Sequence, residues 1–128
     1  MTISVANEFK AACLAGGCAL FNGGAFRLLD GGAAELASLT FKSPAFGTPN
    51  TASPSVATTA GSPPLIADTT ITAGTIASFE MRTSGNALRL SGSVGVGTGD
   101  IQVSSVTIPG SATSVSCPGG MTISLQIS

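Results

Sequence analysis

The sequence predicts a mainly β fold, an antiparallel sandwich or jelly roll with one N-terminal α-helix, in a single domain over residues 1–128. Three observations predict it. Apolar residues recur at helical spacing only near the start, and from Ala25 onward they alternate with period two. Glycine and proline turns punctuate that alternation at short intervals. The chain holds 17 Gly, 17 Ser and 15 Thr but only 9% charged residues, a composition suited to strands, turns and contact surfaces.

The helix is expected over about residues 4–21, with Val5, Phe9, Ala12, Cys13, Gly16 and Leu20 along its apolar face. Ser4 is the expected N-cap, and Glu8 lies in the first turn, where the helix dipole favours an anion. Gly16 and Gly17 each weaken the interior by about 1 kcal/mol relative to Ala, and they open a route for close backbone approach. Asn22-Gly23-Gly24 stops the helix. The apolar run Ala11–Phe21 is too short to span a bilayer, which takes about 20 residues. Leu14-Ala15-Gly16-Gly17-Cys18 imitates a lipoprotein cleavage box, but Leu14 stands one place too far from Cys18. Glu8 beside a lone Lys10 also replaces the basic cluster of a signal. A retained helix is the expectation.

Ala25–Leu29 reads as a strand ended by Asp30-Gly31-Gly32, and Glu35–Lys42 as a second, with Leu39 and Phe41 on one face and Thr40 and Lys42 on the other. Residues 43–64 contain five of the seven prolines and read as a long irregular excursion, extended around Ser55–Thr59 and held down from outside the domain. Thr75–Arg82 sets Ala77, Phe79 and Met81 against Ser78, Glu80 and Arg82, and Ala87–Val94 alternates likewise. Across the turn Thr83–Asn86, pairing Arg82 with Ala87 sets Met81 opposite Leu88, Phe79 opposite Leu90 and Glu80 opposite Arg89. Ile101–Val103 continues the alternation, Ser104-Ser105 breaks its phase as a bulge would, and Val106 and Ile108 resume it. Ala112–Cys117 reads as a short strand. A last strand carries Met121, Ile123, Leu125 and Ile127 on one face.

The absence of His, Trp and Tyr, with only five basic and six acidic residues, removes most of the tools of catalysis. A serine nucleophile has no His base, and the spacing of Asp68, Glu80 and Asp100 gives no paired-carboxylate site. Ser91–Gly99 imitates a phosphate loop, but Asp100 and a strand follow instead of Lys and a helix, so it reads as a flexible loop. A calcium ion at Asp30 or Asp100 is the residual metal reading. No catalytic, cofactor-binding or metal residues are therefore expected. The basic residues at 10, 27, 42, 82 and 89 form no patch for nucleic acid. Cys13, Cys18 and Cys117 read as buried small thiols, made in a reducing compartment, with a bridge from Cys13 or Cys18 to Cys117 as the other reading. A net charge of −1 gives a lone subunit little colloidal protection, which points to a surface covered by copies of itself or by other subunits.

Several segments carry a resemblance spread over nearly the whole chain. They are Val5-Ala6-Asn7, Phe26-Arg27-Leu28-Leu29-Asp30-Gly31 and Leu39-Thr40-Phe41-Lys42-Ser43-Pro44-Ala45-Phe46-Gly47, then Ala77-Ser78-Phe79-Glu80-Met81-Arg82, Leu90-Ser91-Gly92-Ser93-Val94-Gly95, Asp100-Ile101 and the alternating end. With them the chain resembles a group of small structural proteins of tailed bacteriophages. The resemblance implies a non-enzymatic virion component, first a capsid decoration (cement) subunit on the major capsid protein, second a neck or tail part. It implies neither cofactor nor small-molecule substrate, and no membrane. A receptor- or glycan-binding β-sandwich module is the rival, weakened by the missing Trp and Tyr. A lipoprotein anchored through Cys18 is the third reading.

Overall fold

Helix α1, Asn7–Ala19, opens the fold. The computed structural model describes residues 5–61, 63–117 and 120–125, so the expected Ser4 cap and the end of the last strand, including Ile127, lie outside the described residues. Ala6 occupies the N-cap position and makes no side-chain cap bond. The helix stops where expected: Gly23 takes φ +67° and the Gly24 N–H donates to the Phe21 carbonyl at 2.8 Å.

The helix does not bury its expected face. Lys10, Ala11, Leu14 and Cys18 are buried, whereas Phe9 is 60% and Leu20 48% exposed, and Ala12, Cys13 and Gly16 are exposed with them. Ala, Cys and Leu occur on both sides of this helix, so helical spacing marks two apolar stripes, and tertiary packing selects one. Burial of Lys10 was not foreseen. Its stem is covered while Nζ lies 3.4 Å from Ser53 Oγ and 3.5 Å from Asn7 Oδ1.

The strands are β1 Ala25–Leu29, β2 Glu35–Phe41, β3 Ser55–Thr58, β4 Leu65–Ile66, β5 Gly74–Thr75, β6 Ser78–Arg82, β7 Leu88–Gly95, β8 Ile101–Gln102, β9 Thr107–Ile108 and β10 Thr122–Leu125. The chain is thus mainly β with one helix among the described residues. A six-stranded sheet has the order β4-β2-β1-β6-β7-β8, antiparallel except for the β7–β8 pair, and two ribbons join β3 to β10 and β5 to β9. In β1, Phe26 stands between Leu39 and Met81, and Leu28 between Ala37 and Phe79. The period-two pattern therefore puts one face of the sheet into the core. Phe21, Phe26, Phe41, Phe46 and Phe79 meet there, with neighbouring ring centroids 5.5–6.3 Å apart.

The β6–β7 hairpin corrects the expected register. Met81 lies opposite Leu90, Phe79 opposite Gly92 and Glu80 opposite Ser91, two residues from the expected pairing. Two local features cause the slip. Thr83 closes on Ala87 across a turn with Asn86 at φ +66°, and a bulge follows between Met81 and Arg82. Because the total shift is even, Phe79 and Met81 keep their buried face. The register also seats the Phe79 ring over glycine: a Cβ on Gly92 would lie 2.8 Å from that ring.

Other expectations change with it. Within the domain, the described part of the 43–64 excursion has anchors of its own. Asn22 Oδ1 accepts the Ala45 N–H at 2.8 Å, Ser55 Oγ donates to the Asn50 carbonyl at 2.7 Å, β3 pairs with β10, and Phe46 enters the core. The expected Thr75–Arg82 strand divides into β5 and β6, and Ala77 between them is exposed. The phase break at Ser104-Ser105 is a change of partner rather than a bulge, since β8 joins β7 and β9 joins β5. Ala112–Cys117 contributes one bridge, Val115 to Asp68, instead of a strand.

Candidate interaction surface

The face of the sheet turned away from the core carries Arg27, Ser38, Thr40, Glu80, Arg82, Ser91 and Ser93. Strand alternation places them there, opposite the buried phenylalanines. Arg27 Nε lies 2.6 Å from Glu35 Oε1 and Nη1 3.5 Å from Glu80 Oε1, while Arg82 Nη2 lies 3.0 Å from Glu80 Oε2. Glu80 therefore pairs with arginines on its own strand and on β1, not with Arg89 as the sequence register implied. Four of the chain's few charges neutralise one another, and the remainder of this face is Ser and Thr with Ala25 among them and Ile66 at the β4 edge. A partner covering it desolvates hydroxyls and closed ion pairs rather than lone ions, which is the cheaper case.

The other carboxylates serve the backbone. Asp30 Oδ1 accepts the N–H groups of Gly32 and Ala34 at 2.8 and 2.9 Å, closing the β1–β2 loop. Asp68 accepts from Ser38 and Thr70. Asp100 Oδ2 accepts from the Ser93 N–H at 2.9 Å and its hydroxyl at 3.1 Å. Among the described residues no three metal-ligating side chains cluster. The glycine-rich segment is not a slack loop. Gly97 and Gly99 take φ +71° and +92°, and a Cβ on Gly95 would lie 2.7 Å from the Thr98 carbonyl oxygen. The glycines let the chain coil once on itself, so that β8 re-enters parallel to β7 after very few residues.

The two Ser93 bonds, the backbone one first, hold the Asp100 carboxyl below the usual aspartate range. A lowered folded-state pKa means the contribution is present above the unfolded value and is lost as pH falls through the folded one. In an acid titration followed by NMR, the Ser93 amide shift is expected to move with a midpoint below that of an unconstrained aspartate. A midpoint at the ordinary value would contradict the hydrogen bond.

Apolar side chains border this face and continue around the edge of β7, where Leu90, opposite Met81, lies on the core side of the sheet. Leu88 is 44%, Leu90 37%, Ile66 56% and Val96 56% exposed. A groove of about 260 Å³ between α1, β7 and β10 is lined by Cys13, Leu20, Leu90, Ile123 and Leu125. Cys13 is exposed, contrary to expectation, whereas burial raises the thiol pKa of Cys18 and Cys117. Cys18, the residue a lipid anchor would use, packs in the core with Leu14 and Phe21. No helix among the described residues is long and apolar enough to cross a membrane. Sequence reasoning missed this border because exposure of alternate apolar residues depends on which strands stand beside them. Compared with known proteins, the chain matches no family model, no curated protein and no solved structure.

Proposed function

We propose that the chain is a non-enzymatic structural subunit of a tailed-bacteriophage virion, a capsid decoration protein that stabilises the head by contacts with the major capsid protein and with its own copies. The observation that carries this reading is the self-neutralised, Ser/Thr-rich sheet face bordered by exposed Leu88, Ile66 and Val96. Such a surface lacks the scattered charge that keeps monomers apart, and its apolar border marks association. The resemblance to phage structural proteins supports the same assignment. In this reading the helix and the two ribbons form the second layer of a sandwich-like subunit, and the polar sheet face is the contact layer.

The test is to mix the purified chain with undecorated capsids, sediment them, and follow capsid disruption on heating. Co-sedimentation with a raised disruption temperature is the expected result. Binding to isolated necks or tails but not to heads would move the subunit to those stations. Binding to none of these particles would overturn the virion reading.

A further inference from the structure

We propose that the open edge of β7 pairs antiparallel with the same edge of a second copy, about a two-fold axis at Ser91. Among the described residues, β8 covers only Val94 and Gly95 on the side of β7 away from β6, so Leu88–Ser93 has no neighbouring strand there. Strand alternation tells which peptide groups point outward. The Val94 N–H donates to the Ala77 carbonyl toward β6, and the Ser93 N–H donates to Asp100 on the other side. Leu90 and Gly92 therefore face β6, and the N–H and C=O of Ser91 face the open edge.

The edge is short and carries a charge at each end. Arg89 Nη1 donates to the Leu88 carbonyl at 3.2 Å, and Asp100 occupies the Ser93 N–H. Long strands are thereby refused, as protected edges refuse them. A second copy fits the interval left between. With Ser91 opposite Ser91, each serine's outward N–H meets the other's C=O, and Arg89 of each copy comes opposite Ser93 of the other, beside its Asp100. Opposite charges then meet twice across the axis, whereas centring the pair on Arg89 would oppose two cations. The isologous pairing also covers Leu88 and Leu90, exposed on this edge. It builds on the reading of the chain as an assembling subunit, but its test uses no capsid.

Sedimentation velocity on the full chain is expected to show a reversible dimer of twice 12.4 kDa. Ser91→Pro removes an N–H that faces away from β6, so it is expected to abolish the dimer while leaving the melting temperature of the monomer intact. Arg89→Glu is expected to weaken the dimer at least about tenfold, in a salt-dependent way. In a Cys13→Ser background, Ser91→Cys is expected to form an intermolecular disulfide on mild oxidation, because directly opposed residues of a hydrogen-bonded pair lie within bridging distance. A chain that stays monomeric at several hundred micromolar overturns the pairing. So does a dimer indifferent to both Ser91→Pro and Arg89→Glu. A monomer that still binds heads would sink the pairing and spare the virion reading; a β7-edge dimer that ignores every virion particle would do the reverse.

Discussion

Phe41→Ala is expected to lower the free energy of unfolding by about 3–5 kcal/mol, measured by urea denaturation with an unchanged slope. Phe41 is 1% exposed and ends β2 in the middle of the aromatic cluster. Its ring centroid lies 5.8 Å from those of Phe21 and Phe46 and 6.3 Å from that of Phe26. Those three rings come from the end of the helix, from the proline-rich excursion and from β1. Truncation thus opens a cavity that three separate segments would have to fill, and close-packed interiors relax only partly. Against a total stability of about 5–15 kcal/mol this is a large fraction. Phe9→Ala is the control. Phe9 is 60% exposed, and its loss is expected to change stability by less than about 0.5 kcal/mol. Equal effects at the two positions would mean that the aromatic core is not built as described.

Gly24→Ala is expected to destabilise by about 3 kcal/mol, the upper end of the usual range for forcing atoms into a packed site. A Cβ there would run into the Arg82 carbonyl oxygen and lie 3.1 Å from that of Phe21. Both obstacles are backbone, so no rotamer change relieves them. Gly24 also accepts the Phe41 N–H at 2.8 Å, tying the helix end to β2. The same substitution at Gly16 or Gly17 meets nothing within 4 Å in the helix interior. There it is expected to stabilise by about 0.5–1 kcal/mol, through helix propensity alone. Thermal melts of the three variants give opposite signs if the close approach of Gly24 to β6 is real. A Gly24→Ala protein as stable as the parent would refute that approach.

Local patterns were legible where one physical rule governs them. The helix stop at Gly23 follows from glycine's access to positive φ, and β1 falls on the expected Ala25–Leu29. Leu39 and Phe41 are buried and Thr40 exposed, as alternation requires. The faces of β6 survived even the two-residue slip of its hairpin. The candidate surface was legible only as a scarcity of charge. Which apolar residues border it, and which arginines close the Glu80 network, depended on strands distant in sequence.

By itself, then, the sequence determined the β-rich class, the N-terminal helix and its stop, and the inward parity of β1, β6 and the end of β2, because these follow from local sterics and from periods of 3.6 and 2. Only the tertiary structure decided which helix stripe is buried, how the proline-rich excursion is anchored, how β6 and β7 register, and that β8 lies parallel. Those choices rest on long-range packing, such as Phe79 over Gly92 and Phe46 beside Phe41, and no local spacing encodes them.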